Sequence, residues 1–250
     1  MPDEGPVILT VRDPSDHRQL PLLVAVCFGI DVALALIYLV VILSPQVSWK
    51  LTDMFHLERE SNLPTWYSSV QLLLVGVLFG IFVRARFDRR RLRSWALLAL
   101  PLLFVALSID EATQFHEWVG EKLDGLILPT GNRRDTMFAF TGVWVFVLGL
   151  PFLAITIALL RYVRDYFSAR PQVASKMITG LCIFVLGAVG FESVANFLVI
   201  DSIAHAFEVF FEEFFEMVGV TIILWGIVDL LHAHGFEMRI WRHAVNEDRK

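Results

Sequence analysis

The sequence predicts an all-α membrane protein, a six-transmembrane-helix bundle with both termini cytoplasmic. Three observations lead there. Of 250 residues, 56% are hydrophobic and only 19% are charged, a balance too apolar for a soluble domain. Six apolar runs, about Pro21–Leu43, Trp66–Val83, Trp95–Trp118, Met137–Leu160, Lys176–Val199 and Ala206–Leu231, can each cross roughly 30 Å of hydrocarbon. Sixteen of the 21 Lys and Arg lie in the N-tail, Arg84–Arg93, Arg161–Lys176 and the C-tail. Lys50, Arg59, Lys122, Arg133 and Arg134 remain for the other side, so the positive-inside rule places both tails in the cytoplasm. The chain divides into an N-tail over 1–20, one six-helix domain over 21–232 and a C-tail over 233–250. The expected setting is the plasma (inner) membrane.

Composition excludes several classes. A net charge of -5 creates no basic field for nucleic acid, which is set aside as a partner. Cys27 and Cys182 sit in apolar segments and indicate neither a disulfide framework nor a thiolate metal site. The first apolar run follows about twenty mostly polar residues and is too long for the core of a cleaved signal.

Taken in order, the first span carries one isolated acid, Asp31, whose expected role is a helix-packing hydrogen bond. The loop after it holds Trp49, Trp66 and Tyr67 between Pro45 and Pro64, which predicts an interfacial segment; its His56, Glu58 and Glu60 are expected to be solvated. In the second span, Gly76 and Gly80 form a small-residue pair that allows close helix approach, within the chain or to a second copy or complex partner. The third span ends in a polar cluster of Asp110, Glu111, His116 and Glu117. Asp110 and Glu117 share a face, whereas Glu111 and His116 project elsewhere unless the helix bends or ends there. The fifth span brings Glu192 with Asn196, and a short connection makes a tight hairpin with the sixth. His232 and His234 are expected to cap the end of the sixth helix.

The sixth span carries the strongest signal. At about 100° per residue, His205, Glu208, Glu212 and Glu216 fall within an arc of about 80°, with Phe207, Phe210, Phe211 and Phe214 opposite, facing lipid or another apolar partner, and Glu213 beside the stripe. Each charged carboxylate at mid-membrane costs roughly 2.5–3.5 kcal/mol, so such residues face a bundle interior and act there. With the predicted topology, all the acidic foci lie toward the extracytoplasmic side.

Histidine with carboxylates and no thiolate suits Fe, Mn or Zn, as one or two ions. The predicted ligands come from Asp110, His116, Glu117, Glu192, His205, Glu208 and Glu212, with Glu216 and Glu213 handling protons. The leading reading is a metal-dependent oxidoreductase or hydrolase acting on a lipid or other membrane-dissolved substrate. Its alternatives are a proton or cation carrier or channel using the glutamate ladder, and a structural or assembly subunit of a larger membrane complex; the bland reading of the stripe itself is protonated glutamates that only hold helices together. No HExxH, GxSxG, Walker or GxGxxG element is present.

Overall fold

The computed structural model describes residues 20–44, 46–59, 61–128, 132–133, 136–168, 170–200 and 202–236. Nearly all of both predicted tails, together with Glu60 and Arg134, lies outside the described residues. Every regular element described is helical: α1 (Leu22–Leu43), α2 (Trp49–Phe55), α3 (Leu63–Arg86), α4 (Leu92–Thr113), α5 (Phe115–Ile127), α6 (Leu150–Tyr162), α7 (Asp165–Ser168), α8 (Pro171–Val185), α9 (Glu192–Ala195) and α10 (Ile203–Ala233). A π-helical turn, Val145–Gly149, leads into α6, and a second, Leu186–Phe191, joins α8 to α9. Counting those turns, six helices are long and apolar enough to cross a membrane. The chain is an integral membrane protein with multiple spans.

The starts of the helices follow local chemistry. Asn62 opens α3 by accepting the Thr65 N–H at 3.2 Å, and Ser202 opens α10 by accepting the His205 N–H at 3.1 Å. Pro64 and Pro171 sit in first turns, where the missing N–H costs no hydrogen bond.

Packing is arranged with polar groups inside. Leu36, Val40, Val77, Leu102, Ile155 and Ile178 lie on the outside of the bundle, whereas Asp31, Gln71 and Thr221 are buried. Asp31 is fully buried and holds three helices together: its carboxylate accepts from Tyr67 at 2.6 Å, Thr221 at 2.7 Å and Gln71 at 3.2 Å. The expected packing role of Asp31 is thereby accounted for. Where lipid offers no polar partner, such a network satisfies each group internally.

At the centre stands α10, packed on α8 most extensively and also on α1 and α3. The α8–α10 crossing runs through glycines. A Cβ on Gly219 would lie 2.6 Å from the Phe184 nitrogen, and one on Gly180 would lie 2.6 Å from the Gly219 carbonyl oxygen. Only a missing side chain permits that approach. Gly76 works the same way against Pro101 and Val105 of α4, while Gly80 has open space around it. Half of the predicted small-residue face is therefore used inside the chain.

Two expectations change. The third span does not continue to Trp118: α4 ends at Thr113, Gln114 takes a left-handed conformation (φ 54°, ψ 34°), and α5 starts afresh. The fourth span begins at Val145 rather than Met137, because residues 137–143 form turns held by side chains. Asn196 accepts the Phe140 and Thr141 N–H groups, Asp124 accepts the Val143 N–H at 2.8 Å, and Gly142 has φ 66°. The phenylalanine face of α10 meets both of its expected surroundings, the outside of the bundle and an apolar partner. Phe207 and Phe211 are exposed, but Phe210 packs toward the cluster of Tyr38, Leu57, Tyr67 and Met217 and stacks on Phe214. A helix flanked by α1, α3 and α8 has too little free perimeter for a complete lipid face.

The two ends differ in charge. At one, Arg93 pairs with Asp165 at 2.6 Å, Arg170 donates to the Ala233 carbonyl at 3.2 Å, and Lys176 pairs with Asp229. His232 and His234 lie there with their Nδ1 atoms on the carbonyls of Val228 and Leu230. The acids gather at the other.

Candidate functional site

The left-handed turn at Gln114 builds the first part of the site. It folds α5 back so that Asp110 Oδ1 accepts the His116 N–H at 2.8 Å while Oδ2 lies 2.7 Å from His116 Nδ1. The imidazole also packs on Trp144, with ring centroids 4.6 Å apart. A carboxylate on Nδ1 selects the tautomer with its proton there and leaves Nε2 as the basic nitrogen. Burial alone would lower the His116 pKa, but the hydrogen bond and charge of Asp110, with Glu117 and Glu192, outweigh it, and the net direction is upward.

This pair opens on a cavity of about 290 Å³ inside the bundle. Asp110, Glu111, His116 and Glu117 all line it, which a continuous helix would forbid; the break at Gln114 is what allows it. Glu192 enters from α9, immediately after the second π turn, and Glu212, Glu213 and Glu216 enter from α10. Gly187, in that turn, lets the chain lie against the acidic stripe, since a Cβ there would be 2.7 Å from the Glu212 carbonyl oxygen and 2.8 Å from Glu216 Cγ. The accessible surface left to Glu212 and Glu216 faces the cavity.

Away from the acids the walls turn apolar: Leu72, Leu100, Leu103, Phe152, Leu181 and Ile223 enclose the remainder. Eight carboxyl groups and one imidazole are found among the described lining residues, with no Lys or Arg. The arrangement thus joins an acid–base end to a greasy chamber.

The predicted metal-ligand set does not come together as one site. Asp110, His116, Glu117, Glu192 and Glu212 line the cavity, but His205 and Glu208 do not. They lie beside it, both about 95% buried, with His205 Nε2 3.8 Å from Glu58 Oε1. Among the described residues, no three His, Cys, Asp or Glu side chains are arranged to hold a metal ion. Asp110 is engaged by His116, and Asn196, predicted as a companion of Glu192, instead caps the turn before α6.

Glu58 and His56 are closer to the site than a solvated loop implies. Glu58 lines the cavity, and the His56 ring packs edge-on to Tyr38 at 5.3 Å. Burial, outweighing the nearby Glu58, lowers the His56 pKa. Trp144 was not singled out from sequence, since nothing in the chain order connects it with His116.

A family model described as a domain of unknown function, DUF8692, matches residues 14–230. The chain belongs to that family. The match takes in five transmembrane segments, all but the last three residues of the sixth, and every residue of the cavity. No curated protein and no solved structure matches the chain.

Proposed function

We propose that this protein is a membrane-embedded enzyme that performs acid–base chemistry on a lipid or other membrane-dissolved amphiphile held in the cavity. The observation that carries the reading is the Asp110–His116 pair, oriented at 2.7 Å, opening on the same cavity whose far wall is apolar. Oriented by Asp110, His116 moves the proton at Nε2, and the apolar chamber takes the hydrocarbon part of the substrate. Glu212, Glu213 and Glu216 supply further proton positions along α10. A lining without Lys or Arg disfavours an anionic phosphate head and suits a cationic or uncharged one.

Positive-inside topology puts the acidic end on the extracytoplasmic side. The carrier reading is weakened by the opposite end of the bundle. There the cavity closes on Leu72, Leu100 and Ile223, and the carboxyls of Asp31 and Asp229 are engaged by neighbours.

The test is to incubate the reconstituted protein with a total membrane lipid extract and follow all species by mass spectrometry. Wild type should deplete one class of amphiphile, His116→Gln should bind without converting it, and Leu181→Trp, which fills the chamber, should do neither. An unchanged lipid profile together with Glu212-dependent proton flux would replace the enzyme by a carrier.

A further inference from the structure

We propose that α5 is an in-plane membrane anchor: its exposed apolar face lies in the headgroup–acyl boundary of the leaflet at the acidic end of the bundle, and lipid on that face keeps His116 on Asp110. At about 100° per residue, Phe115, Trp118, Val119, Lys122 and Leu126 fall within one arc of about 100°. Phe115, Trp118 and Leu126 are exposed, Leu126 to 82%. His116, Gly120 and Asp124 occupy an arc of about 80° on the opposite side, and Glu117 and Glu121 are exposed beside it.

The inner arc fixes the depth of the helix. His116 packs on Trp144, a Cβ on Gly120 would lie 2.9 Å from Trp144 Cβ, and Asp124 accepts the Val143 N–H at 2.8 Å. Val143 and Trp144 directly precede Val145, where the fourth span begins, and Gln114 alone separates α5 from the end of α4. Held between the end of one span and the head of the next, α5 lies at the level where the spans leave hydrocarbon. The lipid-facing outside of α4, with Leu102 and Ile109 exposed, ends about one turn before it.

Side-chain chemistry names the occupant. Tryptophan suits the membrane–water interface, and Lys122, exposed in the middle of the apolar arc, can lay its stem on that surface while its ammonium reaches lipid phosphates. Against an apolar protein face the same ammonium would be buried at high cost. The anchor bears on His116 because the first N–H groups of a helix have no partner within it. The His116 N–H is held instead by Asp110 Oδ1 at 2.8 Å, and releasing α5 from the membrane would loosen that bond.

The experiment places the full chain in nanodiscs of phosphatidylcholine and phosphatidylglycerol that contain a lipid with a nitroxide near its headgroup. In a Cys182→Ser background, with Cys27 buried, bimane is attached in turn at Trp118→Cys, Leu126→Cys and Glu121→Cys. Quenching at the first two should exceed that at Glu121→Cys at least about twofold. Hydrogen exchange reads the link to the site: Trp118→Glu with Leu126→Glu should speed exchange across α5 and at the His116 amide at least about tenfold, leaving α10 as slow as in wild type. Where that variant unfolds, the milder Trp118→Gln makes the same comparison. Equal quenching at the three positions overturns the proposal. So does unchanged exchange in α5, or a disulfide between copies through Trp118→Cys in proteoliposomes, which would assign the face to a second copy.

Discussion

Replacing Gly219 by Ala tests whether the glycine seam between α8 and α10 positions the acidic stripe. The new Cβ would lie 2.6 Å from the Phe184 nitrogen and 2.8 Å from the Gly180 carbonyl oxygen. Backbone atoms cannot swing aside, so reaching the 3.4 Å of ordinary contact requires the helices to part by about 0.8 Å. Overpacking of this kind costs roughly 1–3 kcal/mol. Alanine returns about 0.5–1 kcal/mol through its better helix propensity. The mid-range balance is a loss of about 1 kcal/mol, or roughly 2–4 °C in Tm for a chain of this size. Thermal unfolding in mild detergent, followed by circular dichroism, reads the effect. Gly80→Ala is the control, because no atom lies within 4 Å of its added Cβ, and it should melt at or slightly above wild type. A Gly219→Ala variant that melts with Gly80→Ala would refute the claim that backbone contact sets the α8–α10 distance.

Two further outcomes follow from other groups. Asp31→Leu removes the acceptor of Tyr67, Gln71 and Thr221; at about 0.6 kcal/mol for each intramembrane hydrogen bond, the loss is about 2 kcal/mol, with Asp31→Asn costing less, as measured by denaturant titration. For His116, the folded-state pKa is raised, so its pairing with Asp110 stabilises fully below the ordinary histidine value near 6.5 and fades as pH rises through the higher folded value. The stability difference between wild type and His116→Gln should therefore shrink with rising pH; a constant or growing difference would contradict the pairing.

Much of this protein was readable in the amino-acid order. Six apolar runs of spanning length give six helices, because in hydrocarbon the backbone has few ways to satisfy its hydrogen bonds. The stripe on α10 also followed from sequence: the helix is unbroken over 31 residues, so a period of 3.6 correctly places Glu212 and Glu216 on one wall. The same arithmetic failed wherever the helix did not continue. Gln114 at φ 54° sends His116 back to Asp110, and a π turn of six residues shifts the register just before Glu192. The first break has no Pro or Gly at the decisive position, since Gln114 adopts the left-handed turn itself, and the second holds Gly187 and Gly190 within an otherwise apolar run that reads as continuous helix. Tertiary structure also decided that Asp110, His116, Glu117, Glu192 and Glu212 line one cavity together with Glu58, while His205 and Glu208 do not. Periodicity is a local property of one helix, set by neighbouring side chains. Which faces meet across helices depends on backbone approach at positions such as Gly180 and Gly187, and that distance is set only when the whole bundle packs.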